Sequence, residues 1–473
     1  MGRAYPATRA LALVAAAGLT VSLAACGSDK KSDNANAQPS ATASAHMNTG
    51  NGVLKIGTLL PETGSLQIFG PAGVAAVKLA VQDINAAGGV LGKPIETEYS
   101  DSGDTSTDIA SQSVNRLLDA GVDAIVGADS SSVSLTVIDR ITGSGVLQMS
   151  PANTSTTLTD YPDHGLYFRT APSDVYQGRV VADTALDDGA QTLGILALQD
   201  AYGTSLADVA DKTFTDGGGK VVLHKIYDPK AAEFSAEVGQ LKQADPDAIA
   251  LIGFDESSKI IQEMVKQGLL PLSSSKKKMY MVDGNMSNAS YVSLPKGTME
   301  GVKGTIPGSK PSDAFQARLK GFDPTIKDFS YAGETYDAVT LIALAAEAAN
   351  SDAGTAIAAK LQDVSSGGTK CTSFADCDKL LKAGTDIDYE GQSGPIEFDS
   401  NGNPSVASMG VYQYGSDNMY KPLKFVKGPV AGGGKSTTET ATSSPDSSAA
   451  PSSDSSSSGT DTSSPEPSST SSP

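Results

Sequence analysis

Short apolar runs alternate with helical patterns along most of this chain, and that alternation restricts the fold more than any other feature. Helical patterns such as Ile109 to Leu118 separate the runs, and the series restarts after Ser173. The strand-like runs are VLKIGTLLP, IETEYSD, DAIVGAD and GVLQMSP in the first series, and QTLGILALQD, GKVVLHKIYD, PDAIALIGFD and KKMYMVDG in the second. Such a pattern predicts parallel sheets covered by helices on both faces. Two series predict an α/β protein with two similar lobes.

A long apolar segment, SYAGETYDAVTLIALAAEAAN from Ser330 to Asn350, follows the second series. Its length and composition predict a buried helix. The second series has no obvious place for this helix. We therefore expect it to return to the first lobe, so that each lobe is built from separate stretches of chain.

The net charge of the chain limits the kinds of molecule that it is expected to bind. The chain has 54 Asp and Glu against 35 Lys and Arg, a formal net charge of −19. Nucleic-acid binding depends on Lys and Arg that neutralise phosphates. The composition therefore argues against a nucleic-acid partner.

The N-terminus predicts export and lipid anchoring. Arg3 and Arg9 form a basic region that precedes an apolar stretch, Ala10 to Leu23, which is too short for a lasting membrane span. The motif LAAC then ends at Cys26. It resembles a bacterial lipobox, which implies a signal peptide over residues 1–25, an acylated Cys26 and a flexible tether over residues 26–52. The alternative is an ordinary secretory signal with a chance cysteine. No later run is long and apolar enough to span a membrane.

The C-terminal segment and the remaining cysteines complete the outline of the chain. Residues 428–473 are rich in Ser, Thr and Pro and predict a disordered tail, either O-glycosylated or a cell-wall spacer. Cys371 and Cys377 flank the loop CTSFADC, and in an exported protein we expect them to pair. No histidine accompanies them, so we predict no metal site and no cofactor.

A cluster of hydroxyls follows one strand of the first series, in VGADSSSVS. Ligands of open parallel sheets sit beyond the carboxyl ends of the strands, so these serines are candidates for a ligand cradle. A nucleophilic serine would need a base within reach. None of the three histidines, His46, His164 and His224, is placed beside a serine by any motif. We therefore predict binding without catalysis.

The ordered set of motifs resembles one family. They are IGTLLPETGSLQIFG, AVKLAVQDINAAGGVLGKPIE, VGADSSS, SPANTSTTLT, FRTAPSDVYQGR, DAYGTSLAD, GGGKVV, EFSAEVGQLKQADPDAI and TYDAVTLIALA. Together they are similar to the periplasmic-binding-protein family of ABC importers that includes the leucine/isoleucine/valine-binding protein. The resemblance covers nearly all of Val53 to about Gln413, and it rests on the number and order of the motifs.

The resemblance implies type I architecture, with two Rossmann-like lobes joined by three crossovers and a ligand cleft between them. We place the crossovers near Thr170 to Ser173, Gly304 to Pro311 and Gly391 to Pro395. The first lobe then covers residues 53–172 and 308–392, and the second lobe covers residues 173–307 and 393–427.

The resemblance also implies residues of a ligand site. Ser131 donates to a ligand carboxylate, the backbone of Ala152 and the hydroxyl and N–H of Thr154 meet the carboxylate and ammonium, and Tyr202 closes over the ligand from the second lobe. The expected lining of the side-chain pocket is Phe254 and Phe69.

One position departs from the family pattern. Amino-acid binders of the family carry an acidic residue for the ammonium where this chain has Gly284, and Asp283 lies one position earlier. Either Asp283 takes the role or the ligand has no ammonium. The alternative for Asp283 is a carboxylate that caps a strand-end turn.

These features together predict an extracytoplasmic, lipid-anchored solute-binding protein that presents a small polar ligand, an amino acid or close analogue, to an ABC permease. The alternatives are a ligand-sensing receptor, a binder of an amide or small carboxylate, an enzyme and a surface adhesin.

Overall fold

The computed structural model describes residues 47–431 and 437–440. Their architecture is α/β, with a largely parallel sheet at the centre of each of two lobes. The predicted fold class is confirmed. All eight strand-like runs of the two predicted series form strands, and the long apolar segment forms a buried helix.

The first lobe holds a five-stranded, entirely parallel sheet in the order β2-β1-β3-β4-β5. Its strands are β1 (Lys55–Leu59), β2 (Glu96–Glu98), β3 (Ala124–Gly127), β4 (Leu147–Ser150) and β5 (Tyr167–Arg169). The helices between them are α1 (Gly70–Ala86), α2 (Ile109–Asp119) and α3 (Ser131–Thr142), with a short 3-10 turn at Thr156–Leu158.

The second lobe holds an eight-stranded sheet in the order β16-β15-β14-β10-β9-β8-β6-β7, in which β6 to β10 are parallel. The strands are β6 (Thr192–Leu198), β7 (Lys220–Tyr227), β8 (Ala248–Ile252), β9 (Lys278–Val282), β10 (Lys303–Pro307), β14 (Val406–Tyr414), β15 (Tyr420–Pro429) and β16 (Thr437–Thr440). The helices are α4 (Asp174–Asp187), α5 (Ala201–Asp216), α6 (Ser235–Ala244), α7 (Ser257–Gln267), α8 (Leu272–Ser275) and α9 (Asn288–Tyr291), with a 3-10 turn at Asp283–Asn285.

A later stretch of chain returns to the first lobe. It contributes α10 (Asp313–Phe322), α11 (Ala332–Ala349), α12 (Gly354–Val364), α13 (Phe374–Lys382) and a small sheet of β11 (Thr369–Cys371), β12 (Ile387–Gly391) and β13 (Gly394–Pro395). α11 is buried over most of its length and shares the apolar core of the first lobe with α1. Buried residues lie on all sides of the helix, as expected for a helix packed between a sheet and other helices.

The third crossover lies later than the sequence predicts. Ile396 and Phe398 still belong to the first lobe's core, where the Phe398 ring meets the Phe168 ring edge-on at 5.3 Å. Gly402 then accepts a hydrogen bond from the backbone of Arg169 at 3.1 Å. The chain reaches the second lobe only at β14, so the crossover is near Asn403 to Val406 rather than Gly391 to Pro395. Buried apolar side chains hold the intervening segment.

The folded region extends further at both ends than the sequence predicts, so the tether ends earlier and the tail begins later. Asp352 Oδ2 accepts backbone N–H groups from Asn51, Gly52 and Val53 at 2.7, 2.6 and 3.0 Å, which fixes residues assigned to the tether. At the other end, β15 continues to Pro429 and β16 pairs with it, within the segment predicted to be disordered. The signal peptide, Cys26 and most of the tail lie outside the described residues.

Cys371 of β11 and Cys377 of α13 form a disulfide in the first lobe. Both are buried beside the core. Within the described ranges, no helix is long and apolar enough to cross a bilayer.

Candidate functional site

The ends of strands from both lobes meet around one inner cavity. Its lining is Leu66, Phe69, Asp129, Ser130, Ser131, Ala152, Tyr202, Phe254, Asp283 and Tyr331. The structure therefore brings together six of the seven residues expected at a ligand site. The seventh, Thr154, lies behind this wall and is almost fully buried.

The inner cavity is nearly filled by the side chains of its wall. The space left inside it is about 10 Å³, close to the minimum that one water molecule needs. Leu66, Phe69, Ala152 and Tyr331 from the first lobe are buried together with the apolar core of the second lobe. An amino acid would need these side chains to move apart, so a ligand of that size requires the lobes to open.

Each serine of the cluster after β3 has a different task. Ser130 caps α3, because its Oγ accepts the N–H of Val133 at 3.3 Å. Ser131 Oγ accepts the N–H groups of Thr154 and Ser155, both at 3.3 Å, which leaves its own proton free to donate. Its position at the first turn of α3 adds the free N–H groups of a helix N-terminus, which favour an anion.

Ser132 reaches the other lobe. Its Oγ accepts the N–H of Ala201 at 2.8 Å, at the start of α5. Ser155 Oγ donates to the carbonyl of Ala201 at 2.9 Å, and Thr156 N–H donates to Ser205 Oγ at 2.9 Å. These contacts join the serine loops of the first lobe to α5 of the second. They hold the lobes together beside the inner cavity.

Four aromatic rings form much of the inner cavity's wall. Tyr202, in the first turn of α5, stacks on Phe254 with ring centroids 5.5 Å apart and planes 6° from parallel. Phe69 and Tyr331 meet edge-on at 5.4 Å. Aromatic rings of this kind give a pocket a large apolar contact area with fixed geometry.

Asp283 contributes a carboxylate to the cavity wall, and this carboxylate accepts three hydrogen bonds. Its Oδ1 accepts from Gln177 Nε2 at 2.5 Å and from the hydroxyl of Tyr202 at 2.8 Å, and its Oδ2 accepts from the hydroxyl of Tyr331 at 2.5 Å. Burial raises the pKa of Asp283, and these three donors lower it in part. Oδ2 keeps a free acceptor position for a further donor.

The local packing explains why Gly284 carries no side chain. A Cβ at this position would lie 2.7 Å from the carbonyl oxygen of Gly253 and 2.8 Å from the ring of Phe254. The position where the family carries its acid is therefore occupied by the Phe254 ring. Asp283, one position earlier, places a carboxylate in the wall of the inner cavity instead.

A buried polar group lies behind the wall and was not predicted from the sequence. Both carboxylate oxygens of Asp174, Oγ1 of Thr154 and Oε1 of Gln177 are buried without a hydrogen-bond partner among the described residues. Burial is the main cause that raises the pKa of Asp174 to about 7, and the nearby charge of Asp283 makes a smaller contribution to that rise. The motif FRTAPSDVYQGR contains Asp174 and Gln177 at helical spacing, three residues apart, which was the signal available in the sequence.

Other residues of the wall were also not predicted. Asp129 lies two positions after the end of β3, in a motif whose serines alone were predicted to contribute to the site. Tyr331 precedes α11 and reaches the inner cavity only because that helix returns to the first lobe. Leu66 lies in the first loop, three positions before Phe69.

An outer compartment of about 390 Å³ adjoins the inner cavity and shares Ser130 and Phe254 with it. Its polar lining includes Asp104 from the first lobe and Asp200, Lys230 and Asp255 from the second. Charges from both lobes therefore meet at this entrance. In the part of the chain that the structure describes, no group of three His, Cys, Asp or Glu side chains could hold a metal ion.

A cleft between two α/β lobes, closed over a small cavity with an anion-binding helix end and a buried acid, suits capture of a small zwitterion or carboxylate. The family model described as periplasmic binding protein matches residues 53–418. The chain belongs to this family. Family members are extracytoplasmic solute-binding proteins that work with ABC transporter permeases, and they are not enzymes.

Two relatives illustrate the match. The Leu/Ile/Val-binding protein homolog 2 of Brucella abortus (strain 2308) is 29% identical over 381 residues, which is 78% of this chain and 92% of the relative. The leucine-, isoleucine-, valine-, threonine-, and alanine-binding protein of Pseudomonas aeruginosa is 26% identical over 379 residues, which is 78% of this chain and 92% of that protein.

Solved structures show the same fold. A leucine binding protein from Thermotoga maritima has a TM-score of 0.65 at 21% identity, over 79% of this chain and 98% of that one. A branched-chain amino acid transporter substrate binding protein from Streptococcus pneumoniae, in complex with isoleucine, has a TM-score of 0.63 at 22% identity, over 78% and 99%. A solute binding protein from R. palustris in complex with 4-hydroxybenzoate has a TM-score of 0.65 at 16% identity, over 79% and 96%.

Proposed function

We propose that this chain is the lipid-anchored solute-binding protein of an ABC importer and that it captures an α-amino acid by closing its two lobes. The observation that carries the proposal is the pairing of two chemical ends in one inner cavity. Ser131 at the N-terminus of α3 suits a carboxylate, and Asp283 in the opposite lobe suits an ammonium.

The proposed ligand contacts follow from the residues that line the inner cavity. Ser131 and the backbone of Ala152 hold the ligand carboxylate, with Thr154 behind them. The ammonium lies toward Asp283, where the unpartnered Asp174, Gln177 and Thr154 Oγ1 add acceptors. Phe69, Phe254 and Tyr202 enclose the side chain. Closure excludes water, which strengthens the charge-assisted hydrogen bonds at both ends.

Names of relatives support an amino-acid ligand, since both curated relatives are named for binding leucine, isoleucine and valine or as homologues of such proteins. The 4-hydroxybenzoate complex of a structural neighbour supports a second candidate, an aromatic carboxylate. The four aromatic rings of the wall would suit such a ligand. An aromatic carboxylate has no ammonium, so the effect of changing Asp283 distinguishes the two candidate ligands.

Calorimetric titration with the amino acids and with benzoates tests the proposal. A ligand at a thousand times its Kd stabilises the protein by about 4 kcal/mol, so thermal shifts provide an independent readout. Ser131→Ala weakens either ligand, because both carry a carboxylate. Asp283→Asn weakens binding of an amino acid at least about tenfold more than binding of a benzoate, because a benzoate loses only the effect of the Asp283 hydrogen bonds on closure. Binding of benzoates alone would overturn the amino-acid proposal.

The anchor is tested separately. In cells supplied with a labelled fatty acid, we expect the label on the wild-type protein and none on Cys26→Ser. Equal release of both proteins into the medium would contradict the anchor and support an ordinary secretory signal. Retention of ligand binding by Cys26→Ser shows that the anchor and the cleft are independent.

A further inference from the structure

Asp129 places a carboxyl group in the wall of the inner cavity that the zwitterion model does not use. The residue is 5% exposed and lies two positions after the end of β3 and two positions before Ser131. Its carboxylate makes no hydrogen bond or ion pair with any described residue, and Oδ1 is fully buried. Only its backbone is engaged, through a carbonyl that accepts from Asn153 Nδ2 at 2.8 Å.

A buried carboxyl group without a partner is costly. Leaving such a group unsatisfied costs more than a neutral hydrogen bond contributes, and ionised groups are the most expensive. Burial is the sole cause that raises the pKa of Asp129 to about 7, since no neighbouring donor stabilises its ionised form. Among the residues that the structure describes, no side chain offsets this cost at the wall.

The other unpartnered acid has a different position. Asp174 is fully buried beside Thr154 and Asp283, on the side where the ammonium is proposed to lie. Asp129 instead lines the inner cavity, whose apolar lining comes from Leu66, Phe69, Phe254 and other side chains. An aliphatic ligand side chain against this wall would leave the Asp129 carboxyl group unpaired in a dry cavity.

We propose that the bound amino acid has a side chain that carries a hydrogen-bond donor, and that Asp129 accepts from this donor and sets the selectivity of the site. The inference rests on the proposed function and specifies which class of amino acid the site binds. A hydroxyl or amide group on the ligand pairs with the carboxylate of Asp129. The hydrocarbon part of the same side chain packs against the aromatic rings.

Three pairs of amino acids of similar size test the proposal by calorimetry on the full chain: threonine against valine, asparagine against leucine, and glutamine against methionine. We expect the donor-bearing member of at least one pair to bind about ten to a hundred times more tightly than its apolar partner. Asp129→Leu removes or reverses that preference. Asp129→Asn, which keeps the size and fold of the site, reduces it because a neutral amide accepts more weakly than a carboxylate.

Asp378→Asn is the matched control, because Asp378 is also buried with one unpartnered oxygen but lies on α13, outside the inner cavity. We expect Asp378→Asn to leave the preference for the donor-bearing amino acid unchanged. Equal or tighter binding of the apolar members, unchanged by Asp129→Leu, overturns the role of Asp129 and leaves the amino-acid function in place. Absence of binding by any amino acid overturns the proposed function itself, and the inference with it.

Discussion

The hydroxyl of Tyr331 donates to Oδ2 of Asp283 at 2.5 Å, and this contact joins the two lobes inside the inner cavity. Tyr331 is the N-cap residue of α11 in the first lobe, whereas Asp283 follows β9 in the second. Tyr331 also has a left-handed backbone, with φ of 61°. That conformation costs about 1–3 kcal/mol, which the ring contact with Phe69 and the bond to Asp283 offset.

Tyr331→Phe is expected to favour the open form. The change removes one donor from a buried carboxylate and costs about 1–3 kcal/mol in the closed state alone. We expect a larger radius of gyration by small-angle scattering in the absence of ligand. Tyr291→Phe is the control, because its hydroxyl donates to the carbonyl of Asn285 within the second lobe. A radius unchanged in Tyr331→Phe and equal to that of the control would contradict this role.

Gly284→Ala is expected to disturb the aromatic wall. A methyl group at this position meets the carbonyl of Gly253 and the ring of Phe254, so Phe254 must move from its stack on Tyr202. We expect a loss of about 1–3 kcal/mol in the free energy of unfolding and at least tenfold weaker ligand binding. Gly239→Ala, at a helical site with no atom closer than 3.8 Å, is the control for stability and binding. If Gly284→Ala and Gly239→Ala changed stability and ligand binding equally, the close packing at Gly284 would not be what holds the aromatic wall in place.

The strands and the lobe to which the long helix returns were predictable because burial on both faces of a parallel sheet leaves a direct sequence pattern. The same pattern locates strand ends, and polar residues just after them put Ser131, Ala152 and Asp283 near one another. Contacts between distant segments leave no such pattern. Tyr331 is brought to Asp283 by the return of α11, and Ser132 meets Ala201 only when the lobes close.

The ends of the folded region were mispredicted for a related reason. Asn48 to Gly52 are polar and small, which is typical of a tether. Asp352, which is 300 positions from Gly52, nevertheless binds the backbone of this segment. The third crossover was misplaced because the buried Ile396 and Phe398 continue the first lobe's core beyond a Gly- and Ser-containing segment that resembles a linker. Composition reports how a segment behaves alone, and long-range contacts change that behaviour.

Replacement of both Cys371 and Cys377 by serine is expected to lower the stability of the first lobe without changing the cleft. The bridge closes a loop with a sequence separation of 6, for which the chain-entropy model gives a loss of about 2 kcal/mol. Urea unfolding measures this loss, and calorimetric titration should give an unchanged Kd. A change in Kd as large as the change in stability would connect this end of the lobe to ligand binding.

Glu334 lies where the crossovers meet α11. Thr170, at the first crossover, donates from its hydroxyl to the carbonyl of Glu334 at 2.9 Å. Gly308, at the second, approaches the carboxyl group so closely that a Cβ would lie 2.0 Å from Oε1. Burial raises the pKa of Glu334 to about 8, with a smaller contribution from the charge of Asp337 on the same helix. Burial raises the pKa of Tyr412 on β14 in the second lobe, and the charge of Glu334 makes a smaller contribution in the same direction.

Glu334→Gln is expected to change how stability depends on pH. Because the folded-state pKa is raised above the ordinary value of 4.5, the folded protein holds a proton that the unfolded chain releases between pH 4.5 and about 8. The contribution of Glu334 is therefore complete below pH 4.5 and is lost as the pH rises through about 8. Relative to Glu334→Gln, the wild type should lose on the order of 1 kcal/mol of unfolding free energy per pH unit across this window.

Urea unfolding at pH 5, 6, 7 and 8 measures that difference. Glu300→Gln, at an exposed position, is the control and should follow the wild type. The carboxyl groups that remain in both proteins, Asp337 among them, cancel to first order in the comparison. Parallel stability curves for the wild type and Glu334→Gln would mean that Glu334 ionises normally in the folded protein. The crossovers would then be held by packing alone, and the opening of the lobes should not respond to pH through this residue.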